Sequence, residues 1–239
     1  MLGVVLAAVT GLWFVPRIPQ DPAYHEFADR RAFLGVPNFG DVVSNVAFWV
    51  VGALGLSKLA LSKVAGLHPS YAVYCRAIIG EGAGSAAYHF DPSTTILVWD
   101  RLPMTVGFMA FFAMVIGDRI SLTLGRRALW PLVIVGVGSV GYWDYTESVG
   151  AGDLRPYGLV QFLPILLVAF ILCAYRSRYL RSVYLWGSIG LYGLAKVSEH
   201  WDSWVYEVSG VISGHTIKHI LSAVGVWLVI LALRRSQPT

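Results

Sequence analysis

Gly214-His215-Thr216-Ile217-Lys218-His219 opens the last apolar stretch of the chain, Ser213 to Arg235. The stretch is long and apolar enough for a membrane span, and histidines four apart share one face of a helix. Ionisable side chains at membrane depth are costly. They either snorkel near a headgroup region or sit inside a bundle at a working site. Partners elsewhere in the chain decide between these.

Composition sets the surroundings. Hydrophobic residues make up 56% of the 239 positions and charged residues only 13%, about half the charged share of a soluble domain. This describes an integral membrane protein. The formal charge of +4 lies in loop arginines, and no basic run exceeds two residues, which argues against a nucleic-acid partner. Cys75 and Cys173 both fall inside apolar runs and read as small core residues.

Working backwards, spans are expected at Val183 to Glu199, Tyr157 to Ala174, Leu129 to Tyr145, Leu102 to Gly117, Tyr71 to His89 and Val42 to Ser62. Leu2 to Pro16 is short for a span and reads as a first helix rather than a removed signal peptide. The fold class is therefore all-α, of about eight spans, with residues 1–16 an additional helix and 42–239 the main bundle. Residues 17–41 form the longest polar connection, in which aromatics alternate with acids and arginines. Pro103, Pro131 and Pro156 are expected at helix starts, and Pro164 inside a span.

Lys58, Lys63, Arg119, Arg126, Arg127, Arg176, Arg178, Arg181, Arg234 and Arg235 fall on one side of the eight-span arrangement, with acids dominating the other. The positive-inside rule then puts both termini in the cytoplasm. His89, Asp100, His215 and His219 all reach the opposite, non-cytoplasmic level, with Ser85 one turn before His89 on the same face. Glu81 shares that face.

Three imidazoles from two helices, with a fourth position open, make the ligand set of a catalytic zinc. Asp100 is placed to accept a proton from metal-activated water, and Ser85 to donate to a ligand or to an oxyanion. The apolar setting implies a lipid substrate arriving through the bilayer. The same residues also suit a buried polar network that packs the bundle. Lys196 and Glu199 read as an i,i+3 pair on the seventh span. His25 and His68 lie in connections, where surface histidines are the default, and Asp144 is a candidate for the outer layer.

Ser85-x3-His89, Asp100 eleven residues on, and His215-x3-His219 near the end together resemble the alkaline ceramidases. That family belongs to a wider superfamily of seven-helix membrane hydrolases that includes the adiponectin and progestin receptors. Ser44-Asn45 after Pro37-Asn38-Phe39, and Trp99-Asp100-Arg101, are similar to that family as well. The resemblance covers roughly Asp21 to Arg235. It implies a seven-helix core with zinc held by His89, His215 and His219. It further implies that Asp100 and Ser85 assist water in cleaving the amide of a ceramide or related N-acyl lipid. The alternative within the superfamily is a zinc-containing receptor or lipid-binding protein without turnover. Eukaryotic members carry an acid of a calcium site six residues before the serine of Ser-Asn, and here Asn38 stands there. Asp21, Glu26 and Asp29 would bind calcium only in another register. Compact loops, and a composition rich in alanine, valine and arginine, suggest a bacterial cytoplasmic-membrane protein.

Overall fold

The computed structural model describes residues 2–59 and 67–233. Ser62, Lys63, Arg234 and Arg235 of the sequence reading lie outside the described residues. Among those described, the chain is helical throughout, and only two isolated bridges, Phe33 with Val36 and Leu180 with Leu233, pair extended backbone. The elements are α1 (Leu2–Gly11), α2 (Phe39–Val43), α3 (Val46–Leu59), α4 (His68–Phe90), α5 (Thr94–Arg119) and α6 (Leu122–Ser148). After them come α7 (Arg155–Ala174), α8 (Ser182–His200), α9 (Asp202–Ser209) and α10 (Gly214–Ala232).

Four helical stretches are long and apolar enough to cross a membrane: Phe39–Leu59, α5, α7 and α10. Helices α4, α6 and α8 match them in length but not in apolarity. Helix α1 rises only about 15 Å, half the roughly 30 Å of a hydrocarbon core. It is an appendage lying against α7.

The long helices close into a ring. Helix α4 packs between α3 and α5, α5 also meets α6 and α7, α7 touches α8, and α10 lies between α8 and α3. The buried core runs through the middle, from Tyr71 and Cys75 past Ala110, Met114 and Val168 to Ile230.

Helix boundaries depart from expectation where a polar cap overrides the apolar count. The sequence reading leaves residues 90–99 as a loop, yet α5 begins at Thr94, because the Ser93 side chain caps it by accepting from the Ile96 amide at 3.3 Å. Asp100 therefore lies two turns inside a helix rather than at its start. Pro103 and Pro131 likewise fall within α5 and α6 rather than at their beginnings, while Pro156 and Pro164 lie as expected. At the head of the first long span, Asn45 Nδ2 and Ser44 Oγ both donate to the Asp41 carbonyl, at 2.7 and 3.0 Å. Those side chains compete with the backbone and separate α2 from α3.

Candidate metal centre

Close helix contacts assemble the site. Pro103 has no amide hydrogen to give the Trp99 carbonyl one turn earlier, and that carbonyl lies directly against Gly84, where a Cβ would overlap it. The approach brings the next residue, Ser85, beside Asp100 in the lining of one cavity. Gly214 does the same for α10, resting on the Ser198 carbonyl and the Asp202 backbone of α8 and α9. The Asp202 side chain then accepts from the His215 amide at 2.7 Å and from the Ala28 amide at 3.0 Å, tying three segments together.

His89, His215 and His219 meet at this end of the ring. One ligand atom from each lies within 4.8 Å of the others, and the residues are only 1, 5 and 2% exposed. His215 Nε2 is 3.2 Å from His89 Nε2, close to the about 3.3 Å that separates two nitrogens sharing a tetrahedral zinc. Ser44 orients the third ring. Its single hydrogen goes to the Asp41 carbonyl, so its oxygen, 2.7 Å from His219 Nδ1, accepts the proton there. His219 Nε2 is then a lone pair, buried and without a partner, and His89 Nδ1 is also buried without one. Leaving such atoms unsatisfied costs about 1–3 kcal/mol each. The three histidines could hold a metal ion. Among the described residues they form the one such group of His, Cys, Asp or Glu.

A mostly apolar cavity of about 750 Å³ adjoins the centre. His219, Ser85, Asp100, Glu81, Lys196, Glu199 and Lys218 are among its polar lining, with Arg101 and Gln161. Glu81 and Ser85 thus share a face, as their spacing predicts. Lys196 pairs with Glu199 at 2.6 Å, also as expected. Lys218 was not singled out in the sequence, yet its Nζ donates to Glu199 Oε1 at 3.0 Å and to His215 Nε2 at 2.7 Å. A lysine inside the last apolar span was the available signal.

The 17–41 connection covers this end of the site. Phe27 is buried, its ring centroid 4.5 Å from His89 and 4.9 Å from His215, and Asn38 Nδ2 donates to the His89 carbonyl at 2.8 Å. His25 is no free surface histidine: its ring nitrogens lie 2.9 Å from the Tyr88 hydroxyl and 3.0 Å from Thr94 Oγ1. Burial, and then the charge of Arg101, lower its pKa below the ordinary value.

The three acids considered for calcium have separate partners. Asp21 accepts from the Ala23 amide, Glu26 faces Arg30 at 3.8 Å on the surface, and Asp29 pairs with Arg31 at 2.7 Å. Asp144 is exposed and does not line the cavity. Its neighbour Trp143 is the one turned inward, stacking on Arg101 at 4.1 Å.

Comparison of the chain with models of protein families, and with curated proteins, found no match.

Proposed function

We propose that the protein is an intramembrane zinc hydrolase that cleaves the amide of a ceramide or related N-acyl lipid, releasing a fatty acid. The observation that carries this reading is the histidine cluster, with a ligand atom of His219 preset and unpartnered, opening onto an apolar cavity beside a carboxylate. In this reading α3 to α8 and α10 are seven spans. The C-terminal end of α10 faces the cytoplasm, and the 17–41 connection and the metal centre lie toward the other side of a bacterial membrane. The sequence expectation that both termini are cytoplasmic needs α1 to span as well, and it is too short to do so. Supporting this, Ile134, Val135, Leu166 and Phe170 are exposed on the outer faces of α6 and α7, as lipid-facing residues would be. Trp13, Phe14, Trp99, Trp201 and Trp204 are exposed toward the histidine end, where an interfacial belt is expected.

A zinc ion held by the three imidazoles would polarise the amide carbonyl and bring the pKa of water down to about 7. The rest falls to the chain. Asp100 takes the proton of water as its oxygen bonds to the carbonyl carbon, and returns it to the amine nitrogen as the C–N bond breaks. Ser85, beside it in the cavity lining, steadies the Asp100 carboxylate. The apolar cavity seats the acyl chain and keeps bulk water from the site.

Metal analysis together with a hydrolysis screen on ceramide and N-acyl amino acids tests the reading. Wild type should carry one zinc per chain and release fatty acid. Asp100→Asn should retain zinc and lose turnover by about a hundred- to ten-thousand-fold. Undiminished turnover in that variant would remove Asp100 from the chemistry, and absence of zinc would sink the mechanism. Zinc without turnover on any lipid would favour the receptor or lipid-binding alternative.

A further inference from the structure

Acids and bases line the cavity together. Glu81 and Asp100 project from α4 and α5 with Arg101 beside them, and Glu81 Oε2 is buried without a partner. Facing them, α8 and α10 contribute Lys196 and Lys218, which share the one carboxylate of Glu199 at 2.6 and 3.0 Å. Two ammonium groups on one carboxylate leave that wall net positive. Phe48, Ile78, Phe108 and Val229 are among the apolar residues around it.

Lys218 stands out because it reaches the histidines themselves. Its Nζ lies 2.7 Å from His215 Nε2, the same atom that lies 3.2 Å from His89 Nε2. An ion held by His215 occupies that lone pair, so the ammonium keeps Glu199 and has donors to spare.

We infer that Lys218, the cation nearest the histidine cluster, binds anions in the cavity, holding a fatty carboxylate by a charge-assisted hydrogen bond. On the hydrolase reading, and resting on it, Lys218 also holds the carbonyl oxygen as it turns negative. Glu199 positions the ammonium and Lys196 braces Glu199. Cleavage then leaves the carboxylate on the lysine wall and the amine beside Glu81 and Asp100.

Binding tests this without turnover. Full-length protein in lipid nanodiscs is titrated calorimetrically, at alkaline pH, with laurate and with dodecanamide, which has the same chain length and no charge. Wild type is expected to prefer laurate by about tenfold or more, with metal loaded or stripped, as one charge-assisted hydrogen bond supplies. In the metal-stripped state Lys218→Met should shrink the preference to about twofold, and Lys218→Arg should keep most of it. Equal affinity for the two probes in metal-stripped wild type overturns the inference without recourse to a variant. An undiminished preference in Lys218→Met overturns it as well. The metal-stripped readout is independent of zinc and of hydrolysis, so failure here leaves the hydrolase reading intact, and the reverse holds too.

Discussion

A single hydroxyl decides which nitrogen of His219 is available. Ser44 gives its proton to the Asp41 carbonyl and receives the one on His219 Nδ1, which fixes the ring's tautomer and direction together. Ser44→Ala should therefore weaken zinc binding by about ten- to a hundredfold in a chelator-competition titration while the helices remain folded. Unchanged zinc affinity would mean the ring is held by packing alone, through contacts such as the Phe48 ring 6.1 Å away.

Among the elements, the contact of α4 with α5 sets the geometry of the acid. Ser85 lies beside Asp100 because Gly84 lets two helix backbones touch where Pro103 has freed a carbonyl. In Gly84→Ala the new Cβ falls on the Trp99 carbonyl, which cannot swing aside as a flexible side chain would. The expected cost is about 1–3 kcal/mol, read as a lower Tm, with turnover falling because Ser85 and Asp100 are pushed apart. Gly138→Ala serves as the control: a Cβ there meets nothing within 4 Å, and its Tm should not fall. A Gly84→Ala protein as stable and active as wild type would refute the close-approach account.

Across the whole molecule, ion pairs in the connections clip the histidine end of the bundle together. Asp29 is bonded to Arg31, which also donates to the Val211 carbonyl, and Asp153 is bonded to Arg155, which reaches the Leu12 carbonyl. Hydrogen bonds from these arginines, foremost among the causes, hold both carboxyls below their ordinary pKa. A carboxyl depressed in the folded state stabilises it above the unfolded pKa of about 3.9 and ceases to do so as pH falls through the lower folded value. Thermal unfolding in detergent should accordingly be level from neutral pH to about pH 5 and fall below about pH 4. Asp29→Asn should lower Tm at neutral pH and shrink the acid-dependent drop. A drop of the same size in that variant would show that other groups carry the acid sensitivity.

Much of this protein was legible in its residues. Helix content, the sites of all the long helices, the shared face of Glu81, Ser85 and His89, and the Lys196–Glu199 pair all follow from hydropathy and a 3.6-residue period, which are local properties. The His215–His219 spacing likewise needed only one helix, and His89 joined it because alternating spans put it at the same depth. Helix starts at Thr94 and Leu122 were less legible, since a serine cap outweighs the apolar count by which spans are recognised. What only the tertiary structure decided are contacts between residues far apart in the chain. Ser44 on His219, Phe27 over His89 and His215, Asp202 on the amides of His215 and Ala28, and Lys218 on His215 have no periodic signature. Each depends on which helices adjoin and how closely, and that is set by packing at glycines such as Gly84 and Gly214. Local pattern is enough for a helical chain with three histidines at one level. The ring closure decided that their nitrogens converge, and that a lysine converges with them.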